Sequence, residues 1–485
     1  MTATERPLSR GVITRYAVGS LGTGGFATLP GLVLVFYMTD TLGVTALVAG
    51  LVVTAAKVWD VVIDPWIGEH SDRTLARTGS RRTWMRVGAL ALPLGFVLTF
   101  AVPTGLGSAA SGVWVFLAFL ATATAFSLFQ VPYIALPAEL TRDYDARTRL
   151  LSWRVVVLSL AILLFGAGGP ALRRMGGDDE AVGYLVMAVV AGLVIGAGML
   201  VAVTTAPRGV PGAPAPRAGI RSAYAEGIGA LRRSGPFRAL LATFVLQGLA
   251  TGVMLAGANY VAVWVLHSED ALTLLFVALI APAVFCAPVW ARISARIGKE
   301  RSFRWASLLF ALAALSLLGM VWAPGAWVYL PVALAGAAYA GMQTLPMAML
   351  PDVISHDARV HGEGRAGSFG GIWTAGETAG MALGATVLSL VLAMTGYLES
   401  SGSTVLEQPT AAVAGIAVSF SALPAVLVFL SLVPLARYRL GRDDVEADAA
   451  SAAAPSAGPP APTDGAPTDP APSDPEPVND SQETA

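Results

Sequence analysis

Charge, cysteine and lysine are all scarce in this chain of 485 residues. Only 13% of its residues are charged, against about 25% in soluble domains, and 55% are apolar. With a mean hydropathy of +0.65, the composition excludes a water-soluble globular protein and points to a polytopic membrane protein, whatever domain number the length suggests. Cys286 is the single cysteine and lies in an apolar run, so no disulfide framework and no cysteine metal cluster can be built. The four histidines (His70, His267, His356, His361) are scattered and make no zinc spacing. A net charge of −1 leaves no nucleic-acid footprint. No phosphate-binding loop is present, so ATP does not drive the protein directly. Nothing resembles a catalytic triad, and the chain reads as no enzyme, without cofactor. The polar N-terminus shows no cleavage site of a removable signal.

What the chain has in abundance is long apolar runs. About twenty such residues cross a bilayer, and that ruler finds twelve spans, near 13–38, 43–68, 84–103, 112–136, 151–172, 182–204, 238–266, 271–292, 306–323, 326–350, 367–396 and 411–436. The expected fold is an all-α membrane protein with twelve transmembrane helices in two six-helix bundles. Residues 1–204 form the N-terminal bundle and 205–237 a Pro-rich linker. Residues 238–440 form the C-terminal bundle, and 441–485 an Ala/Pro/Asp/Ser-rich disordered tail. Arginines gather in alternate loops: Arg73, Arg77, Arg81 and Arg82 after span 2; Arg142, Arg147 and Arg149 after span 4; Arg292, Arg296, Lys299, Arg301 and Arg304 after span 8. The loops after spans 1, 3, 7, 9 and 11 carry no Lys or Arg, and only Arg173-Arg174 breaks the rule. By the positive-inside rule both termini are cytoplasmic, in a cell membrane.

Two carboxylates interrupt span 2, in Lys57-Val58-Trp59-Asp60-Val61-Val62-Ile63-Asp64-Pro65. A spacing of four puts Asp60 and Asp64 on one helix face, one turn apart. Ionisable groups at membrane depth are costly unless they face a polar cavity or a partner, so the pair suggests a site for an ion or proton. The competing reading is a structural pair with Lys57, which can neutralise one carboxylate but hardly both.

The halves repeat. Span 4 ends Val131-Pro132-Tyr133-Ile134-Ala135-Leu136-Pro137-Ala138-Glu139-Leu140, and span 10 ends Leu345-Pro346-Met347-Ala348-Met349-Leu350-Pro351-Asp352. Both keep two prolines five apart with Leu before the second. The loops after spans 2 and 8 echo each other too. Parallel six-helix repeats around a basic linker mark an alternating-access transporter with a midplane site.

These residues also carry a resemblance. Gly68-x-x-x-Asp72-Arg73 followed by Gly79-x-Arg81-Arg82 resembles the loop motif of the major facilitator superfamily. More narrowly, Trp59-Asp60-x-x-x-Asp64-Pro65, the Pro132–Thr141 string and Pro351-Asp352-Val353-Ile354-x-x-Asp357 are similar to the glycoside–pentoside–hexuronide:cation symporters, the family that includes the sodium/melibiose symporter. The resemblance covers residues 12–440. It implies cation-coupled symport of a sugar or glycoside-like small polar solute by a monomer in the lipid bilayer, with Na⁺ or H⁺ as the coupling cation. Asp60 and Asp64 would hold the cation, joined from span 4 by Ser127 and Gln130. Hard cations favour oxygen ligands, which suits the carboxylate pair without the analogy. Gln130 stands where melibiose-type members have an acid, and an interhelical hydrogen bond is the equal alternative for it.

Other departures bear on the solute. The family's span-1 sugar-binding Asp falls in Gly22-Thr23-Gly24-Gly25, where no carboxylate is present, and the span-11 Lys falls at Thr378, after Glu377. The span-5 Arg is retained as Arg154, for substrate contact or a salt bridge. Glu377, among small residues in Trp373-Thr374-Ala375-Gly376-Glu377, can carry a proton, contact substrate, or pair with Lys57 or Arg154. Tyr133, Trp373, Asn259 and Gln343 are further candidate cavity liners. Asp72, Arg73, Arg81 and Arg82 are candidate gating residues that latch the halves. The alternative function is export or flipping of an amphipathic, drug-like or lipid-like compound on the same fold.

Overall fold

The computed structural model describes residues 9–141, 144–177, 179–207, 228–229, 231–268, 270–361, 366–400 and 407–440. The tail and most of the linker expected from the sequence lie outside these residues. The described chain is helical throughout, without strands. Its helices are α1 (Arg10–Val18), α2 (Ser20–Phe36), α3 (Ala46–Thr78), α4 (Arg82–Phe100), α5 (Ser108–Leu140), α6 (Tyr144–Arg173) and α7 (Glu180–Val203) in the first half. The second half has α8 (Gly235–Tyr260), α9 (Ala271–Ile297), α10 (Lys299–Ser316), α11 (Tyr329–His361), α12 (Ala366–Met394), α13 (Thr410–Phe420) and α14 (Ala422–Ala436). The pairs α1–α2 and α13–α14 each make one crossing. Among the described residues, eleven crossings are long and apolar enough to span a membrane, and the 33-residue α11 is the twelfth long segment of the bundle.

Several helices outrun the apolar ruler. α3 continues ten residues past its apolar part, to Thr78, and α11 runs on to His361. The extensions carry charged residues beyond membrane depth, where an apolar count no longer registers the helix. α3 stops at Gly79, whose φ of 70° is the left-handed geometry of a helix C-cap.

Glycine sets the closest approaches. A Cβ on Gly384 would lie 2.3 Å from the backbone carbon of Gly252, so α8 and α12 meet backbone to backbone. In α2, Cβ atoms on Gly22, Gly24 and Gly25 would each lie 2.6 Å from Met199, Ala161 and Ile195 respectively.

The structure adds a repeat that the sequence hides. α2 ends in a π-turn, Tyr37–Thr41, and α8 ends in another, Val261–Val265. The closing bonds match: Leu42 N–H to Tyr37 C=O and Val44 N–H to Met38 C=O in one half, Leu266 to Val261 and Ser268 to Ala262 in the other.

Candidate functional site

The centre of the first half is built on α3. Asp60 is buried, and one of its oxygens accepts from Lys57 Nζ at 3.1 Å while the other has no partner. Asp64, one turn on, is approached by the Ser127 hydroxyl of α5, and its Oδ1 is likewise buried without a partner. Two orphaned carboxylate oxygens therefore lie one turn apart, each with an unmade interaction. Lys57 Nζ also sits 5.3 Å from the centre of the Phe26 ring, which holds it beside Asp60. Trp59 Nε1 donates to Thr124 at 2.9 Å, fixing α3 against α5. Gln130 is engaged: its Oε1 accepts from Thr23 at 2.8 Å. That bond joins α5 to α2 and leaves the side-chain nitrogen of Gln130 for other work.

The glycines of α2 settle the geometry at the missing span-1 carboxylate. Three of the four residues Gly22 to Gly25 press against α6 and α7, with no room for a side chain, and Thr23 alone reaches Gln130. Beside them Tyr133 donates to the Tyr16 carbonyl at 2.7 Å and stacks on the Tyr16 ring at 4.6 Å. Arg154 lies 5.6 Å from the centre of the Tyr133 ring, with its Nε buried and unpartnered.

The second half contributes a small cleft open to solvent, lined by Phe244, Gln247, Thr251, Tyr339, Gln343 and Glu377 among others. Among the described residues, no Lys, Arg or His lines it. Lys57, one basic partner considered for Glu377, is engaged with Asp60. Trp373 is fully buried behind the cleft, stacked on Phe244 at 4.4 Å. Asn259 is fully buried, and both of its amide atoms lack partners.

The arginine motif after α3 is a compact cluster within the first half. Gly79 turns the chain so that Arg81 folds back onto Asp72 and donates to Ser71 at 2.7 Å and to Glu139 of α5 at 2.5 Å. Arg73 pairs with Glu69 on its own helix at 2.5 Å, and the Nε of Arg82 is buried. The second-half counterpart joins Lys299 to Asp352 at 2.5 Å.

Bonds between the halves gather at the opposite end of the bundle, a site the sequence reading missed. Asp40, in the π-turn, is buried and accepts from Tyr397 at 2.6 Å and from Thr39 at 2.5 Å. Thr39 in turn meets Tyr260 at 2.7 Å, and its carbonyl accepts from Ser400 N–H at 3.0 Å. Glu399 caps the start of α3 through the Ala46 N–H at 3.1 Å. Deeper in, Thr54 meets Thr386 at 2.5 Å, and at the exposed rim Arg174 pairs with Asp270. Burial and the neighbouring Asp40 carboxylate push the Tyr397 phenol up, so it stays protonated and acts as the donor.

Two like halves of crossing helices, with carboxylates at membrane depth and the halves joined at one end, define a secondary active membrane transporter. The sequence profile of the family described as "MFS/sugar transport protein" matches residues 15–442, and the chain belongs to that family. It is similar to the "Glucuronide carrier protein homolog" of Escherichia coli, 24% identical across 90% of this chain and 94% of that one. It is also similar to the "Sodium-dependent lysophosphatidylcholine symporter 1" of Mus musculus, 24% identical across 77% of this chain and 76% of that one. Among solved structures, the crystal structure of a D-xylose-proton symporter superposes with a TM-score of 0.63 at 13% identity, covering 87% of this chain and 96% of that one. That likeness concerns the fold.

Proposed function

We propose that the protein couples movement of a small polar solute to entry of Na⁺ or H⁺, with Asp60 and Asp64 as the cation site. The observation that carries this is the pair of orphaned oxygens: Lys57 answers one side of Asp60 and leaves Asp64 free of any cation. A monovalent cation between the two carboxylates, with Ser127 supplying a third oxygen, answers the remaining charge. The Arg-rich face is cytoplasmic on the positive-inside rule. The Asp40–Tyr397 closure then lies on the outer side.

The solute is sugar-like, as for relatives named as glycoside and glucuronide carriers. The packed glycines of α2 nevertheless argue against a galactoside held by a span-1 carboxylate. The second reading, a lipid-like amphipathic cargo, draws on the likeness to the mouse lysophosphatidylcholine symporter. The test is uptake into proteoliposomes of labelled mono- and disaccharides and of a lysophospholipid, under an imposed Na⁺ or pH gradient. Concentrative uptake that Asp60→Asn and Asp64→Asn both abolish is the expected result. Concentrative transport retained in both variants rejects the coupling role.

A further inference from the structure

We propose that the cleft around Glu377 is a recognition site for the positively charged amine of a solute rich in hydrogen-bond donors. This rests on the transport reading above and names the class of its cargo. The argument is an inventory of donors and acceptors. Gln247 is buried, and its Nε2 donates to Ser307 at 2.9 Å and to Ser431 at 3.1 Å. Both serine hydroxyls already give their protons to their own helices, at Phe303 and Val428, so they can only accept from Gln247. That fixes the amide: the nitrogen is spent and Oε1 is left as a buried acceptor without a partner, on a residue that lines the cleft. Gln343 is half-committed: one hydrogen of its Nε2 goes to the Tyr339 hydroxyl at 2.5 Å, which leaves its oxygen as an acceptor and one N–H as a donor. Thr251 gives its proton to the carbonyls of Gln247 and Gly248, leaving only lone pairs. The Glu377 carboxylate adds two more acceptor oxygens.

The walls are thus rich in acceptors and carry one negative charge with no basic side chain. A sugar with only neutral hydroxyls fills such acceptors but leaves the charge unanswered. An anionic sugar acid is repelled. An ammonium group answers both demands, and the faces of Phe244 and Tyr339 add cation–π attraction. In the first half, Asp60 and Asp64 are taken by Lys57 and by the coupling cation of the reading above, and the α2 glycines close off the position of a span-1 carboxylate.

The experiment measures binding to the full-length purified protein by intrinsic tryptophan fluorescence during thermal unfolding. The probes are D-glucosamine, D-glucose, D-glucuronate and, as a cation without a ring, choline. D-Glucosamine should raise the midpoint and do so more than choline, which has the charge but no N–H, while glucose and glucuronate should not match it. Glu377→Gln should weaken that binding at least about tenfold, the loss expected for a hydrogen bond to a charged group. Glu377→Asp keeps the charge and should keep the preference for cations at reduced affinity, which guards against a variant that merely misfolds. No shift with glucosamine, a shift with choline as large as or larger than it, equal shifts with glucose or glucuronate, or glucosamine binding intact in Glu377→Gln would each overturn the proposal. So would an altered pH profile of transport in Glu377→Gln with unchanged ligand preference, because that marks a proton carrier. The assay requires neither a gradient nor transport, so failure of the coupling role of Asp60 and Asp64 reads out separately.

Discussion

Tyr397→Phe removes one oxygen from the closed end of the bundle and leaves its packing in place. The ring keeps its edge contacts with Tyr260 at 5.4 Å and Trp264 at 6.4 Å. Two hydrogen bonds go: the 2.6 Å donation to Asp40 and the 2.8 Å acceptance from Trp264 Nε1. The first joins the two halves, whereas the second stays within the C-terminal half. A bond to a charged acceptor contributes about 1.5–3 kcal/mol. Asp40 retains Thr39, a partner on its own chain segment, which moves with it when the halves part. The whole of the Tyr397 contribution therefore distinguishes closed from open. At about 1.4 kcal/mol per tenfold, the open population should rise roughly 10- to 100-fold. Spin labels on Ala109→Cys and Ala323→Cys, in a background where the lone Cys286 is Ser, report the separation of the two halves at this end. The variant should show a new or enlarged long-distance component. A distance distribution identical to that of the unmodified protein would refute the latch. Because the phenol stays protonated well above neutrality, raising the pH to 9 should not release the latch through Tyr397.

Gly384→Ala forces a methyl to within 2.3 Å of the Gly252 backbone and should cost roughly 1–3 kcal/mol, seen as a lower thermal midpoint in detergent. Arg81→Ala strands Glu139, which is only 17% exposed, and should destabilise by about 3 kcal/mol. Restored stability in Arg81→Ala/Glu139→Gln would confirm the stranded charge as the cause. Gly24→Asp should fail to create a sugar-binding carboxylate, because its Cβ would collide with Ala161 of α6; a well-folded variant that gains galactoside binding would show the α2–α6 contact to be looser than it is here.

The twelve crossings were legible because bilayer thickness imposes a length that composition alone reveals, and the two-carboxylate face of α3 because helical period fixes it. The same sequence pointed to Gln130, either as a cation ligand or as an interhelical hydrogen bond, and the structure shows such a bond, from Thr23 of α2. Asp40 escaped notice for a physical reason. It lies just past the last apolar residue of the first span, where a carboxylate normally meets water. What buries it is Tyr397, 357 residues later, and no local pattern encodes that encounter. The acceptor excess of the second cleft was invisible for a related reason. Gln247 and Gln343 are ordinary membrane glutamines until the serines and tyrosine that orient their amides are known.

The matched π-turns at the ends of α2 and α8 carry a mechanical implication. Each holds one residue more per turn than the helix before it, a length of chain stored without a break in hydrogen bonding. Relaxing such a turn to ordinary α geometry passes that residue along the axis and rotates everything beyond it by about 100°, one residue's share of a 3.6-residue turn. The two halves thus hold the same one-residue reserve at matching places in the repeat, beside the residues Asp40 and Tyr260 that meet the other half.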